Sequence, residues 1–106
     1  MMKELLPVGS VVLLQGATKK TIIIGIMQIK EGEENKTYDY IGVPYPEGFL
    51  GKDSAYLFNR EHINDVIFTG YDNPERQGFL ELAEQIFKEA AKVIEQRISE
   101  QKAENP

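Results

Sequence analysis

The stretch from Thr37 to Gly51 decides the fold, and it reads Thr-Tyr-Asp-Tyr-Ile-Gly-Val-Pro-Tyr-Pro-Glu-Gly-Phe-Leu-Gly. Its first half alternates apolar and polar residues with a period near two, which predicts a half-buried β-strand. Pro44 and Pro46 end this strand, because neither can donate a hydrogen bond and each favours extended geometry in the preceding residue. We therefore predict that residues 43–47 leave the sheet nearly straight and that the glycines beyond them supply turns.

The loop that follows the strand is rich in aromatic side chains, and two interpretations of it are open. In one, Tyr45, Phe49 and Tyr56 fold back and close the end of a barrel. In the other, the loop forms a rim that receives a segment of a partner protein. The candidate partner-binding residues under the second interpretation are Tyr45, Pro46, Phe49, Leu50 and Tyr56.

Strand patterns also precede this stretch. A β-branched run at residues 8–15 predicts a first strand, and residues 20–29 predict a second strand that is apolar and covered on both faces. Gly25 inside the second strand predicts a bulge or a bend. The charged segment 30–36 predicts a hairpin loop between the second and third strands.

Two further short strands are predicted after the aromatic loop, at residues 56–59 and 66–71. Asn59 is a candidate N-cap for a helical turn between them. Short polar turns leave no room for crossover helices, so the pattern favours an antiparallel meander of four or five strands. We predict an α+β protein with a small SH3-like curled sheet or barrel over residues 1–71.

A long C-terminal helix is predicted over residues 72–101, with Asn73 as its N-cap and Pro74 at its first helical position. Its apolar residues recur at three-four spacing over about 40 Å, whereas strands of five or six residues cover about 20 Å. The half containing residues 79–87 is predicted to pack on the sheet within one domain. The far half must contact another chain, pack on a second copy or fray, and we favour an intermolecular contact with Val93, Ile94 and Ile98 as candidate residues. Residues 102–106 are predicted to be a disordered tail.

Composition excludes several classes of function. The chain has 106 residues, no cysteine and a net charge of -5. Its length suits one domain, and it has no thiolate for a disulfide or a metal site. A chain without a basic patch is not expected to bind nucleic acid. No apolar run has the length of a signal peptide or a membrane span, so we expect a cytoplasmic protein without membrane insertion.

Catalytic motifs are missing from the sequence. His62 is the single histidine, and Ser10, Ser54 and Ser99 stand outside any nucleophile-elbow context. The acidic residues lack first-shell metal spacing, and no phosphate-binding glycine motif occurs. We predict no catalytic residue, no cofactor and no metal. An enzymatic alternative stays open for a structure in which His62 or two carboxylates converge in a pocket.

Three segments of the chain together resemble a bacterial family known as domain of unknown function 4176. They are Leu6–Leu14, the box Tyr38–Phe49 and the segment Leu57–Tyr71, and they occur in the family's order. The resemblance implies an accessory role in type VII secretion loci of Gram-positive bacteria, beside LXG-type toxins and small helical export partners. It implies no catalytic residues.

The combined hypothesis is a non-enzymatic binding module, acting as an adaptor or chaperone for an LXG-type toxin or another component of the secretion machinery. The alternatives are an immunity protein that neutralises a cognate toxin, for which net acidity would suit a basic toxin surface, and an uncharacterised structural domain. A homodimer through the C-terminal helix is also expected, since that helix carries more apolar surface than the sheet requires.

Overall fold

The computed structural model describes the backbone of residues 4–30, 32 and 36–104, and the side chains of these residues up to residue 90 and of residue 92. Five strands and one long helix form the fold. They are β1 (Val11–Leu14), β2 (Thr21–Ile29), β3 (Thr37–Pro44), β4 (Tyr56–Phe58), β5 (Ile63–Phe68) and α1 (Pro74–Glu104). The predicted α+β class is confirmed. The chain divides into two compact units, residues 4–72 with all the strands and a second unit that contains α1.

All strand pairs in the sheet are antiparallel, and the order is β4-β3-β2-β1-β5. The first four strands form a meander in which each strand pairs with the next. β5 then returns to the opposite edge and pairs with β1. Within the described residues the sheet is open. Of the two predicted alternatives, a curled sheet and a closed barrel, the curled sheet is therefore confirmed.

The connection from β4 to β5 explains why the sheet curls. These strands lie at opposite edges, yet only residues 59–62 separate them, and Arg60–His62 form a 3₁₀ turn. A flat sheet would place its two edges about 19 Å apart at about 4.8 Å per strand. A connection of this length with one 3₁₀ turn spans about 13 Å. The two edges must therefore approach each other.

The core of the sheet unit is formed by side chains of the three central strands. Val12, Ile23, Tyr40 and Val43 are almost completely buried. Two polar residues, Ser10 and Thr21, are buried with them, and each hydroxyl has a hydrogen-bond partner in Gly70 and Tyr56 respectively. The remaining buried apolar residues of this unit are Leu5, Val11 and Phe58.

β2 confirms one prediction and corrects another. The register between β2 and β3 shifts between Ile23 and Gly25, which is the predicted bulge. The prediction that both faces of β2 are covered is wrong, since Ile24 and Ile29 are exposed while Thr21 and Ile23 are buried. The first residues of β2 are therefore buried mainly on the face that carries Thr21 and Ile23.

The ends of β3 and β5 also differ from the predictions. Residues 43–47 do not leave the sheet straight, because the Gly48 amide donates to the Pro44 carbonyl at 2.7 Å and closes a turn. The peptide bond between Tyr45 and Pro46 is cis. β5 spans Ile63–Phe68 rather than residues 66–71, since the Gly70 amide donates to the Ser10 side chain at 2.9 Å instead of to a neighbouring strand.

The start of α1 is as predicted, and its apolar pattern is not. The Asn73 side chain accepts a hydrogen bond from the Arg76 amide at 3.0 Å, as an N-cap does. The predicted apolar stripe is in fact two adjacent stripes, because Leu80 and Ala83 are buried whereas Phe79, Leu82 and Ile86 are exposed. The helix continues to Glu104 rather than to residue 101, and residues 105 and 106 of the predicted tail lie outside the described residues. That α1 packs on the sheet stays a prediction.

A non-glycine residue in the left-handed region offers a test of local strain. Met27 in β2 has a φ of 53°, which costs an L-residue about 1–2 kcal/mol. We expect Met27→Gly to raise the free energy of unfolding by about 1 kcal/mol relative to Met27→Ala, since both lose the side chain and only glycine relieves the backbone. Urea denaturation of the two variants measures the difference. Equal stabilities would show that the backbone at residue 27 is unstrained.

Candidate functional site

The aromatic loop, residues 45–51, follows β3 directly, and its backbone is hydrogen-bonded at both ends. The Tyr45 amide donates to the Lys20 carbonyl at 2.9 Å, which extends the pairing with the residues before β2. At the other end, the Leu50 amide donates to the Ser54 hydroxyl at 2.8 Å, and this hydroxyl donates to the Gly51 carbonyl at 2.7 Å. The loop therefore has a defined backbone conformation.

The side chains of the aromatic loop point largely into solvent. Tyr45 is 45% exposed, Phe49 is 63% exposed and Leu50 is 68% exposed. Pro46 is exposed as well. These exposures favour the rim interpretation over the one in which the aromatic residues close a barrel end, because four apolar residues within six positions keep a large part of their contact with water.

Tyr56, the fifth candidate residue of this surface, is less exposed than the loop side chains. It is half-buried in β4, and its hydroxyl hydrogen-bonds to the Thr21 hydroxyl. Its ring centroid is 6.2 Å from that of Phe58, a core residue. Tyr56 therefore belongs to the packing of β4 on the core and not to the exposed loop surface. The three candidates of the far helix, Val93, Ile94 and Ile98, lie outside the residues whose side chains are described, and their contact role stays a prediction.

One ion pair crosses from the aromatic loop to the turn before β2. Lys19 Nζ lies 2.5 Å from Glu47 Oε1, and both side chains are about half exposed. This contact with Lys19 holds the pKa of the Glu47 carboxyl below its ordinary value. The pair adds a second, side-chain link between the loop and the sheet, although exposed ion pairs contribute only about 0–1 kcal/mol.

Sequence reasoning missed a polar cluster around the connection between β4 and β5. The Asp39 amide donates to Asn59 Oδ1 at 2.9 Å, and the Arg60 amide donates to Asp39 Oδ2 at 2.9 Å. Arg60 also reaches Glu4, with 2.7 Å between Nη1 and Oε2. This contact with Arg60 lowers the pKa of Glu4, and the same contact raises the pKa of Arg60. Asp39 and Arg60 are 21 residues apart in the sequence, so no local pattern indicates that they are in contact.

A groove of about 420 Å³ opens beside this cluster. Its lining residues are Thr37, Asp39, Asn59, Arg60 and Glu61. Asp39 and Arg60 bind each other, and the Glu61 carbonyl accepts from the Gln15 side chain at 3.1 Å. These contacts attach the connection between β4 and β5 to β3 and to the end of β1. The residues that line the groove therefore have a structural role.

The candidate chemical groups are engaged in structural hydrogen bonds. His62 Nδ1 accepts from the Asn59 amide at 3.0 Å within the 3₁₀ turn, as a surface histidine in a helical turn would. The Ser10 and Ser54 hydroxyls bind backbone groups of Gly70 and of Gly51. Among the described residues, His, Asp and Glu form no group of three that could hold a metal ion. The absence of enzymatic activity stays a prediction.

Fold and surface together define a class: a small α+β protein with an open, curled antiparallel sheet, an ordered and exposed aromatic loop, and a long C-terminal helix. The chain belongs to the family described as Domain of unknown function (DUF4176), whose family model matches residues 5–79. The match covers all five strands and the first six residues of α1, and it confirms the resemblance carried by the three sequence segments.

The other comparisons return no relatives. No curated protein and no solved structure matches this chain. In the part of the chain that the structure describes, no helix is long and apolar enough to cross a lipid bilayer.

Proposed function

We propose that this protein is a non-enzymatic binding module that holds a segment of another protein against its aromatic loop. The observation that carries the proposal is the exposure of Tyr45, Phe49 and Leu50 on a loop whose backbone is hydrogen-bonded at both ends. Aromatic side chains on an ordered loop contribute most of the energy at many protein interfaces. An ordered loop also loses little conformational entropy when it binds.

The partner we propose is a protein exported by type VII secretion, with an LXG-type toxin encoded beside this chain as the first candidate. The family resemblance supports this choice, because similar proteins are encoded in type VII secretion loci. In this proposal the protein acts as an adaptor or chaperone in the cytoplasm. Immunity to the toxin is the second candidate, which the net charge of -5 favours if the toxin surface is basic.

Other exposed apolar residues are less suitable for this role. Val66, Ile67 and Phe68 are exposed on β5, an edge strand. However, the register of β5 against β1 shifts twice, and bulges of this kind twist an edge strand away from further pairing. The aromatic loop carries no bulge of this kind, and its exposed apolar residues form two pairs within six positions.

The double substitution Phe49→Ser with Leu50→Ser tests the proposed contact. We expect it to weaken binding of the co-expressed toxin at least tenfold, because it removes about 2–3 kcal/mol of apolar burial. Binding is measured by isothermal titration calorimetry with the purified toxin. The matched control is Ile29→Ser, which changes a 54% exposed apolar residue at the far end of β2. Unchanged affinity of the double variant would contradict the proposed site.

A cell-based assay separates the two candidate functions. The toxin is expressed in the cytoplasm with and without this chain, and growth is followed alongside export. An adaptor or chaperone raises the amount of exported toxin and leaves intoxicated cells unprotected. An immunity protein restores growth without the secretion machinery. If this chain neither binds the toxin nor changes the amount of toxin exported, the proposed partner is wrong.

A further inference from the structure

A lysine lies directly beside the first residue of the aromatic loop. The register between β2 and β3 pairs Thr21 with Pro44. The Tyr45 amide continues this register, since it donates to the Lys20 carbonyl at 2.9 Å. Residues that face each other across an antiparallel pair have neighbouring side chains. Thr21 is buried, and the next residue of an extended chain points the opposite way, so Lys20 is exposed beside Tyr45.

A second lysine lies at the other end of the loop. Lys52 is exposed and begins the 3₁₀ turn Lys52–Ser54, which directly follows Gly51. The Leu50 amide donates to the Ser54 hydroxyl at 2.8 Å, so this turn is attached to the end of the loop. Lys52 is two residues from Leu50, which limits the distance between their Cα atoms to about 7 Å. Each end of the exposed apolar loop therefore has a lysine beside it.

The charges of these two lysines are not neutralised within the described part of the chain. Among the described residues, neither Lys20 nor Lys52 forms an ion pair. Lys19, in contrast, is paired with Glu47. The remaining charged residue of the loop and its flanks is Asp53. Three lysines against two acidic residues give this region a net charge of +1, whereas the whole chain carries -5. The charge at the loop is therefore opposite in sign to that of the whole protein.

We infer that the segment held by the aromatic loop is acidic. Its apolar side chains cover Phe49 and Leu50, and carboxylates on either side of them pair with Lys20 and Lys52. An apolar centre with charged groups at its rim is the usual composition of a protein interface, and rim charges select the partner and its orientation. A basic segment would meet like charge at both ends of the loop. This surface is therefore unsuited to the basic toxin surface considered for an immunity protein.

The inference rests on the proposed function and adds the chemistry of the partner segment to it. Charge reversal at the loop tests this addition by calorimetry with the purified toxin. We expect Lys20→Glu and Lys52→Glu each to weaken binding about threefold to tenfold, because an attractive rim pair becomes repulsive. The difference should shrink as salt is added, since exposed charges are screened.

Lys36→Glu is the matched control, because it changes the net charge by the same amount. Lys36 precedes β3, about 26 Å along the strand from the aromatic loop. Its substitution should leave the affinity unchanged. The inference is overturned if Lys36→Glu weakens binding as much as the two loop variants do, or if the loop variants bind as tightly as the unsubstituted chain.

Phage-displayed random peptides give a readout that does not require the toxin. Peptides are selected on the full chain, and those that also bind the variant with Phe49→Ser and Leu50→Ser are removed. We expect the remaining peptides to combine apolar residues with an excess of Asp and Glu. Neutral or basic peptides would overturn the inference and leave the proposed function standing. If no selected peptide depends on Phe49 and Leu50, the proposed function fails, and the inference fails with it.

Discussion

Replacing Gly70 by alanine is expected to destabilise the protein by about 3 kcal/mol. Gly70 crosses directly over the chain before β1, and its amide donates to the Ser10 hydroxyl at 2.9 Å. A Cβ atom at this position would lie 2.4 Å from the Val8 carbonyl oxygen and 3.0 Å from the Ser10 amide nitrogen. Both neighbours are backbone atoms, which cannot move aside without breaking the adjacent pairing.

Gly78 provides the matched control for this substitution. It lies in the first turns of α1, and a Cβ atom there would have nothing within 4 Å. Gly78→Ala should therefore raise the free energy of unfolding by up to about 1 kcal/mol, through helix propensity. Urea denaturation of both variants gives the comparison. If Gly70→Ala unfolds at the same urea concentration as the unsubstituted chain, the close crossing at residue 70 is wrong.

Replacing Tyr40 by alanine is expected to cost about 4 kcal/mol. Tyr40 is fully buried in β3, and its ring centroid lies 5.4 Å from that of Phe58. Its hydroxyl accepts a hydrogen bond from the Leu6 amide at 2.8 Å, which fixes the segment before β1. The substitution removes both the ring packing and this acceptor.

Tyr40→Phe separates the two contributions. It keeps the ring and leaves the Leu6 amide without its acceptor, so we expect a loss of about 1 kcal/mol. Tyr45→Ala is the control, because Tyr45 is 45% exposed and a surface tyrosine two positions beyond the core of the strand should change stability by about 0.5 kcal/mol or less. Thermal or urea denaturation distinguishes the three variants. A Tyr40→Ala protein as stable as Tyr45→Ala would contradict the described core.

Local chemistry accounts for the parts of the fold that were predicted well. The alternation around Tyr40 identified β3, and Gly25 identified the bulge in β2. Asn73 and Pro74 identified the start of α1, since an N-cap and a first-turn proline act within a few residues. The aromatic loop was also identified from its residues, because prolines and glycines end strands wherever the rest of the chain lies.

Long-range contacts account for the parts that were missed. Nothing near Gly70 in the sequence indicates that its amide binds Ser10, 60 residues away, so the end of β5 was placed too late. The cluster of Asp39, Asn59 and Arg60 forms only because β4 pairs with β3. The exposure of Phe79 likewise could not be inferred from spacing alone, since two neighbouring apolar stripes share one period.

The sequence by itself determined the α+β class, the strand that feeds the aromatic loop, the N-cap of α1 and the family, because each of these depends on residues that are neighbours along the chain. The tertiary structure alone decided that the sheet stays open, which side chains of its strands are buried and which apolar side chains remain in water. These properties depend on how far the sheet curls, and its curl is set by a short connection between strands that lie at opposite edges.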